Sequence, residues 1–227
     1  MTYLPTVKRE NLVAFYPFSE GSGSTVYDYS SDGNDGTISG AVYVKIPTGG
    51  YALDFDGSND YVSATNFMED LAAFSTSLWF KADSITASDN TGDADFLYSV
   101  GAIYYGAWFS SGNDITIRSY DGTIFDITTI STFSTSTWYH IVHTYDGSTH
   151  KIYVDGSEDV SQSSTVNIYG STGNNLIIGA QGGGSIDQFF DGKISNVTIY
   201  NVALTAEEVK TLYKQTYINT WGKKIKW

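Results

Sequence analysis

The densest group of oxygen-bearing side chains in this sequence is the run DYSSDGNDG at residues 28–36. It holds three carboxylates, one Asn and two Gly within nine residues. Ca²⁺ binds six to eight oxygens, and carboxylates, side-chain amides and backbone carbonyls all serve as its ligands. One interpretation is therefore a calcium loop in which Asp28, Asp32 and Asn34 supply side-chain oxygens. The alternative is a turn, in which Asp side chains accept hydrogen bonds from nearby backbone N–H groups.

The spacing matches the beginning of an EF-hand loop and not its end. Asp28, Ser30, Asp32 and Gly33 match positions 1, 3, 5 and 6 of that loop. Position 12, which requires a bidentate Glu, is Ser39, and no helix signal flanks the run. The pattern excludes an EF-hand and leaves open both another type of calcium loop and a plain turn.

Carboxylate pairs that could hydrolyse a glycosidic bond are not evident in the sequence. Such enzymes place two acids on opposite sides of the bond, and the six Glu residues offer no suitable spacing. Glu207 and Glu208 lie in a helix-capping sequence. Asp93 and Asp95 form the remaining same-face acidic pair, and their surroundings are typical of a solvated loop edge. We predict that the protein is not an enzyme.

Other catalytic and metal-binding patterns find no support. The chain has no Cys, which excludes thiolate sites and disulfides. His140 and His143 lie three residues apart in a predicted strand, so their side chains point to opposite faces and cannot chelate one ion. The run GAQGGGS at 179–185 is Gly-rich but lacks the Lys and Ser or Thr of a phosphate loop, which predicts a flexible loop.

The aromatic residues raise the question of sugar stacking. Alternation along IYYGAWF at 103–109 puts Tyr104 and Trp108 on one strand face, with Gly106 between them, and Tyr105 on the other. We name Tyr104 and Trp108 as the candidate ligand-binding pair, on an exposed platform. The alternative is that both rings are buried, which is the commoner use of large aromatic side chains.

Net charge restricts the range of partners. The 227-residue chain carries a formal charge of −13, with a sequence pI near 4.3. Such a protein repels phosphate backbones and anionic membranes, so we expect no nucleic-acid partner and no membrane insertion. The amino-terminal residues show no secretion signal, and no apolar run reaches membrane-spanning length.

The elements that must position these residues are mostly strands. Many short segments rich in aromatic and β-branched residues alternate with Gly, Asn, Asp and Ser, and Asp-Gly pairs at 121–122, 146–147 and 155–156 predict tight hairpins. The pattern predicts one all-β domain built of antiparallel sheets. One amphipathic helix is predicted over residues 203–215, with Thr205 and Glu208 as its capping box.

Five segments of the chain, in order, resemble the successive signature blocks of concanavalin A-like, laminin-G-like jelly rolls. They are LVAFYPFSEGSGSTVYDYSSDGNDGTISG, YALDFDGSNDYV, FSTSLWFKAD, STWYHIVHTYDGSTHKIYVDG and IIGAQGGGSIDQFFDGKISNVTIYNVALTAEEVKTLY, which together span about residues 11–213. The resemblance implies a two-sheet antiparallel sandwich, extracellular display and binding of glycans or proteins. It also implies a calcium ion near the early loop at 28–36. A late acidic pair of the family is replaced here by Ser195 and Asn196.

These observations predict a single domain, residues 1–227, with its core at about 11–213 and a basic, aromatic tail at 216–227. We expect a non-catalytic module that recognises a glycan or surface polysaccharide, or that mediates adhesion, with Ca²⁺ as a cofactor. The alternative is a structural or display protein of a virion or appendage. In that case Trp221, Trp227 and the lysines of the tail would dock on an acidic partner or on a second copy.

Overall fold

The computed structural model describes residues 4–46, 50–65, 67–68, 71–88, 94–101, 104–168 and 173–221, the last five by their backbone alone. Sixteen strands and one α-helix make up the regular structure of these ranges, with a 3₁₀ turn at Arg9–Asn11. The first eight strands are β1 Leu12–Tyr16, β2 Thr25–Val26, β3 Gly36–Ser39, β4 Val42–Lys45, β5 Tyr51–Asp56, β6 Tyr61–Thr65, β7 Phe74–Ala82 and β8 Phe96–Val100. The others are β9 Tyr105–Phe109, β10 Ile115–Tyr120, β11 Ile124–Thr128, β12 Tyr139–Tyr145, β13 Thr149–Val154, β14 Ser157–Ser163, β15 Asn175–Ile178 and β16 Asp191–Tyr200, followed by helix α1 Ala206–Trp221.

The strands form two eight-stranded antiparallel sheets, which confirms the predicted fold class. Sheet I has the order β14-β13-β12-β7-β16-β5-β4, with β1 also paired to β16. Sheet II has the order β11-β10-β9-β8-β15-β6-β3-β2. Neighbours in a sheet are often distant in sequence, as in the β7–β16 and β8–β15 pairs, which is typical of a jelly-roll sandwich.

Period-two alternation determines which side chains enter the space between the sheets. In β6, Val62 and Ala64 belong to the central core, whereas Tyr61 and Ser63 point to the outer face of sheet II. The predicted hairpin at 155–156 is confirmed, since Asp155 and Gly156 both have positive φ angles of 49° and 79°. Two such residues are the requirement of a type I′ turn between β13 and β14.

Helix α1 packs on the outer face of sheet I. The predicted capping box is confirmed, because Thr205 N–H donates to Glu208 Oε2 at 2.8 Å and Glu208 N–H donates to Thr205 Oγ1 at 3.3 Å. Val209 and Leu212 are buried with residues of strands β1, β12 and β16. Like every helix in the described ranges, α1 lacks the length and apolar content needed to cross a bilayer.

Both ends of the chain differ from the predicted boundaries. The helix continues beyond residue 215 to Trp221, so that half of the predicted tail is helical. At the other end Val7 is buried, and Lys8 Nζ lies 3.5 Å from Glu208 Oε1. Residues 222–227, including Trp227 and the tail lysines, lie outside the described residues, as does the side chain of Trp221.

The two residues that replace the late acidic pair occupy a β-bulge in β16. The register of β16 against β7 shifts between Ser195 and Thr198. Asn196 has a φ of 52°, in the left-handed region that Asn tolerates better than most residues. Ser195 Oγ donates to the carbonyl of Tyr51 at 3.1 Å. Ser195 and Asn196 therefore fit the backbone of the bulge.

Candidate functional site

Asp28 is the centre of a hydrogen-bonded turn. Its Oδ1 accepts the backbone N–H groups of Phe15 at 2.9 Å and Ser30 at 2.8 Å. Its Oδ2 accepts the Ser30 hydroxyl at 2.7 Å and the Asn34 N–H at 2.9 Å. Because a carboxylate has about four lone-pair sites, these four hydrogen bonds saturate it.

The predicted calcium ligands therefore do not fit a calcium shell around Asp28. The N–H and O–H groups present their positive ends to the oxygens that a cation would need. Asn34 is brought to this turn, but its side-chain N–H donates to Val13 O at 2.9 Å, and Asp32 is exposed and accepts the Ser31 hydroxyl. Among the residues that the structure describes, no group of three or more His, Cys, Asp or Glu side chains is arranged to hold a metal ion.

Trp108 is buried, whereas the predicted sugar platform required it to be exposed. Its side chain does lie on the outer face of sheet II, as the alternation predicted, but only 3% of it is exposed. Phe96 stacks on it at a centroid distance of 5.3 Å, and the guanidinium carbon of Arg118 lies 5.2 Å from its ring centroid. Because Arg118 is itself fixed by a bidentate pair with Asp126, the Trp108 ring is not accessible to a sugar.

Tyr104 is half-buried and lies immediately before β9. It packs edge to face against Tyr120 at a centroid distance of 5.7 Å. The structure gives it a different aromatic partner from Trp108, so the two rings do not share one stacking surface. A ligand role for Tyr104 stays a prediction.

The Gly-rich segment forms a short hairpin on the outer face of sheet II, which we call the glycine ridge (residues 181–187). Gln181 and Asp187 exchange backbone hydrogen bonds of 2.8 and 3.1 Å. Gly182 N–H donates to Ser99 Oγ at 2.7 Å, which anchors the ridge to β8. A Cβ atom on Gly182 would lie 2.7 Å from Cγ1 of Ile177, so only Gly allows this close approach.

One flank of the ridge borders an open cleft of about 330 Å³, which we call the neutral cleft. Tyr61 and Ser63 of β6 reach it because they alternate with the core residues Val62 and Ala64. Asn175 of β15 reaches it for the same reason, and its Nδ2 donates to Ser63 Oγ at 2.9 Å. The other lining residues are Gly173, Asn174, Ile177, Gly182, Gly183 and Ile186.

The lining of the neutral cleft contains no acidic or basic side chain among the described residues. It offers a phenol, a hydroxyl, two side-chain amides and glycine backbone. Amides and hydroxyls both donate and accept hydrogen bonds, and they are the groups that match an array of neutral hydroxyls. These groups suit the recognition of a neutral ligand by hydrogen bonds.

The end of the ridge, at Asp187, borders a second cleft of about 370 Å³, which we call the acidic cleft. Asp95, Asp187, Gln188 and Thr86 supply its polar groups. Its remaining lining residues are Gly57, Ala94 and Phe189.

Asp95 is buried, whereas the sequence predicted that it lies at a solvated loop edge. Only 6% of it is exposed, and its Oδ2 accepts the Thr86 N–H at 2.6 Å. Burial raises the pKa of Asp95 to about 6, and the negative charge of Asp191 adds to the increase. Asp93, the other member of the predicted pair, lies outside the described residues.

Sequence reasoning missed Tyr61, Ser63 and Asn175. The signal was present in the alternation of YVSAT and NLII, which predicts that these three side chains face away from the core. The sequence did not show that β6 and β15 are neighbours, because more than a hundred residues separate them. Nor did the Gly content of 179–185 indicate that this segment folds over both.

Comparison with known families gives one match. Residues 56–210 match the model of the concanavalin A-like lectin/glucanases superfamily, which is more than half of the chain. No curated protein matches the chain in sequence.

Several solved structures share the fold at low identity. Domain 4 of AbnA, a GH43 extracellular arabinanase from Geobacillus stearothermophilus solved with arabinotriose, has a TM-score of 0.71 and 21% identity, covering 89% of this chain and 98% of that domain. The binding domain of Paraclostridial Mosquitocidal Protein 1 has a TM-score of 0.71 and 19% identity, covering 95% of this chain and 56% of that one. The botulinum neurotoxin serotype D ligand-binding domain, solved with N-acetylneuraminic acid, has a TM-score of 0.71 and 14% identity, covering 94% and 54%. At these identities the likeness establishes the fold.

Proposed function

Because the chain belongs to the concanavalin A-like lectin/glucanase superfamily, we propose that it is a non-catalytic module that binds a glycan in the neutral cleft. The observation that carries this proposal is the composition of that cleft. An open space of about 330 Å³ is lined by Tyr61, Ser63 and Asn175 and by glycine backbone, without a charged side chain among the described residues. Sites of this size with a few polar groups are typical of small-ligand recognition.

The geometry of the cleft suits a sugar ring. Tyr61 and Ser63 are two residues apart on one strand face, and Asn175 joins them from the neighbouring strand. A sugar presents hydroxyls at its rim and C–H groups on its faces. The amide and hydroxyl would bind the rim, while the Tyr61 ring would contact a face.

The solved neighbours support a sugar ligand. The arabinanase domain was solved with arabinotriose and the neurotoxin domain with N-acetylneuraminic acid. Neither ligand is assigned to this chain, since the identities are 21% and 14%. The arabinanase is described as extracellular, which supports our proposal that this module acts outside the cell.

A binding role is also favoured by where the acids lie. Hydrolysis requires two carboxyl groups on either side of a bond, about 5–9.5 Å apart. The neutral cleft is lined by none among the described residues, and Asp95 and Asp187 line the acidic cleft instead.

A glycan array with the wild-type protein, with and without EDTA, followed by calorimetry on the best ligand, tests this proposal. We expect binding that EDTA leaves unchanged. Tyr61→Ala and Asn175→Ala should each weaken it about tenfold, as expected for loss of one or two good contacts. Tyr27→Ala is the matched control, because Tyr27 is 52% exposed and lies outside the cleft.

Three results would count against this function. The first is an array with no ligand under either condition. The second is a ligand whose affinity both cleft variants leave unchanged, which would move the site elsewhere. The third is binding abolished by EDTA, which would restore the calcium-dependent interpretation.

A further inference from the structure

We propose that the acidic cleft binds a protonated amine, so that the module selects glycans that carry free amino groups. The amine site is inferred from the cleft itself. Its use for selecting glycans rests on the proposed function.

The polar side chains of the acidic cleft offer mainly acceptors. Asp95 and Asp187 present carboxylates. The side-chain N–H of Gln188 donates to Gln181 Oε1 at 2.7 Å, which leaves the carbonyl oxygen of Gln188 as the other polar atom of that group. This oxygen is buried and accepts no hydrogen bond from the residues that the structure describes. Buried acceptors without a donor are rare in native proteins, and they indicate a missing partner.

Among the described residues, Asp95 also has no positively charged partner. It is nine-tenths buried, and the charge that acts on it comes from another acid, Asp191. Other carboxylates of the chain are paired with bases: Lys193 lies 2.9 Å from Asp54, and Arg118 lies 2.7 Å from Asp126. Since buried charges are normally paired, a cationic ligand would supply what Asp95 lacks.

An ammonium group fits these acceptors better than a metal ion does. It has three N–H donors, and each of the three cleft-lining residues Asp95, Asp187 and Gln188 carries an acceptor group. A calcium ion needs six to eight oxygens, and the described residues contain no group of three acids or histidines arranged for a metal. Phe189 adds an apolar surface that suits the carbon atoms next to the amine.

The position of the acidic cleft connects it to the neutral cleft. Gly182 and Gly183 of the glycine ridge line the neutral cleft, and Asp187 at the end of the ridge lines the acidic cleft. A glycan that follows the ridge would place one sugar in each cleft. The net charge of −13 attracts such a cationic glycan at long range.

The test compares two trisaccharides by calorimetry at pH 7: a glucosamine trisaccharide and its fully N-acetylated counterpart, which has no cationic amine. We expect the amine-bearing sugar to bind about tenfold more tightly, as expected for a hydrogen bond to a charged group. Asp95→Asn should reduce this ratio to about twofold or less, and Asp187→Asn should reduce it partly. Glu10→Gln, which removes an exposed acid away from both clefts, is the control and should keep the full ratio.

Asn175→Ala separates this proposal from the proposed function. It should weaken both trisaccharides equally and leave their ratio unchanged. Equal affinities of the wild-type protein for both sugars would overturn the amine site while leaving glycan binding intact. A third result is also informative: no neutral glycan binds, but glucosamine still binds to the wild-type protein and not to Asp95→Asn. That result would overturn glycan recognition in the neutral cleft and leave the amine site.

Two further outcomes also decide the matter. An affinity ratio that Asp95→Asn leaves unchanged would overturn the proposal. An amine preference that disappears with EDTA would also overturn it, because EDTA sensitivity would indicate a bound metal. We expect Asp95→Asn to fold, since it removes an unpaired buried charge. If it does not fold, the ratio measured for Asp187→Asn decides, because Asp187 is exposed.

Discussion

At the scale of single residues, the role of Asp28 follows from the number of its lone pairs. Its carboxylate joins the backbone of β1, through Phe15, to the loop at Ser30 and Asn34. The Tyr16 hydroxyl donates to the carbonyl of Asn34 and fixes the same loop from the core side. The acidic and Gly-rich composition of residues 28–36 is thus explained by the hydrogen bonds and backbone conformation of a turn.

Asp28→Ala should therefore lower the free energy of unfolding by about 2–4 kcal/mol, because several donors lose a charged acceptor together. Asp32→Ala should change it by less than about 0.5 kcal/mol, since Asp32 is exposed. Urea unfolding with and without Ca²⁺ measures both. A calcium-dependent increase in stability that Asp28→Ala abolishes would contradict our assignment of Asp28 to the turn.

At the scale of elements, a hydroxyl reinforces the packing of helix α1 on sheet I. Trp79 of β7 donates its indole N–H to Thr216 Oγ1 at 2.8 Å, and Tyr213 stacks on the Trp79 ring at a centroid distance of 5.4 Å. The Thr216 hydroxyl in turn donates to the carbonyl of Leu212. This contact explains why residue 216 belongs to the domain and not to a tail.

Thr216→Val keeps the shape of the side chain and leaves the buried indole N–H without an acceptor. We expect a loss of about 1–3 kcal/mol in unfolding free energy and altered Trp fluorescence. Thr211→Val is the matched control, because Thr211 makes the same hydrogen bond to the carbonyl four residues earlier but is exposed. Equal losses in the two variants would show that the helix alone, and not its attachment to β7, is affected.

At the scale of the whole molecule, a buried chain of hydrogen bonds connects the two sheets. His150 Nε2 lies 2.9 Å from the carbonyl of Val166, and because a carbonyl only accepts, this nitrogen carries the hydrogen. Neutral His150 then accepts at Nδ1 from His143 Nε2 at 3.1 Å, and His143 Nδ1 accepts from the Tyr105 hydroxyl of sheet II at 2.9 Å. One carbonyl thus determines the tautomer of both histidines.

This arrangement makes the stability of the molecule dependent on pH. Burial lowers the pKa of His140 to about 3 and of His150 to about 4, and it lowers the pKa of His143 well below its usual value. Each histidine has a pKa of about 6.5 in the unfolded chain, which therefore binds more protons than the folded protein below that pH. Their contribution to stability is complete above about pH 6.5 and is lost as the pH falls through the folded-state pKa values, about 4 for His150 and about 3 for His140.

We expect the unfolding free energy to fall between pH 7 and pH 5 by about 2 kcal/mol for each of the three histidines. Asp95 opposes this change, because its raised pKa of about 6 gives a contribution that is present at low pH and lost as the pH rises through 6. Urea midpoints across this range measure the sum. His140→Gln should flatten the profile by roughly one third, and a profile that is already flat in the wild-type protein would contradict the lowered pKa values of the three buried histidines.

Some of these features follow from local sequence. Alternation placed Tyr105 and Trp108 on opposite faces of β9, Asp155-Gly156 specified a type I′ turn, and Thr205 with Glu208 specified where helix α1 begins. These are short-range properties, because side-chain period, φ preference and capping each depend on a few consecutive residues. The same local patterns predicted antiparallel sheets, whereas the jelly roll was predicted from the resemblance of five segments to a known family.

The site depended on contacts that no local pattern contains. Alternation shows that Trp108 leaves the core, but only the positions of Phe96 and Arg118 decide that it is covered. Spacing shows that Asp28 can accept hydrogen bonds or bind a cation, and the arrival of Phe15 N–H decides between them. The two clefts exist because strands distant in sequence become neighbours and the glycine ridge folds over them. The sequence thus determined the faces of the strands, and the tertiary structure decided which of those faces solvent and ligands can reach.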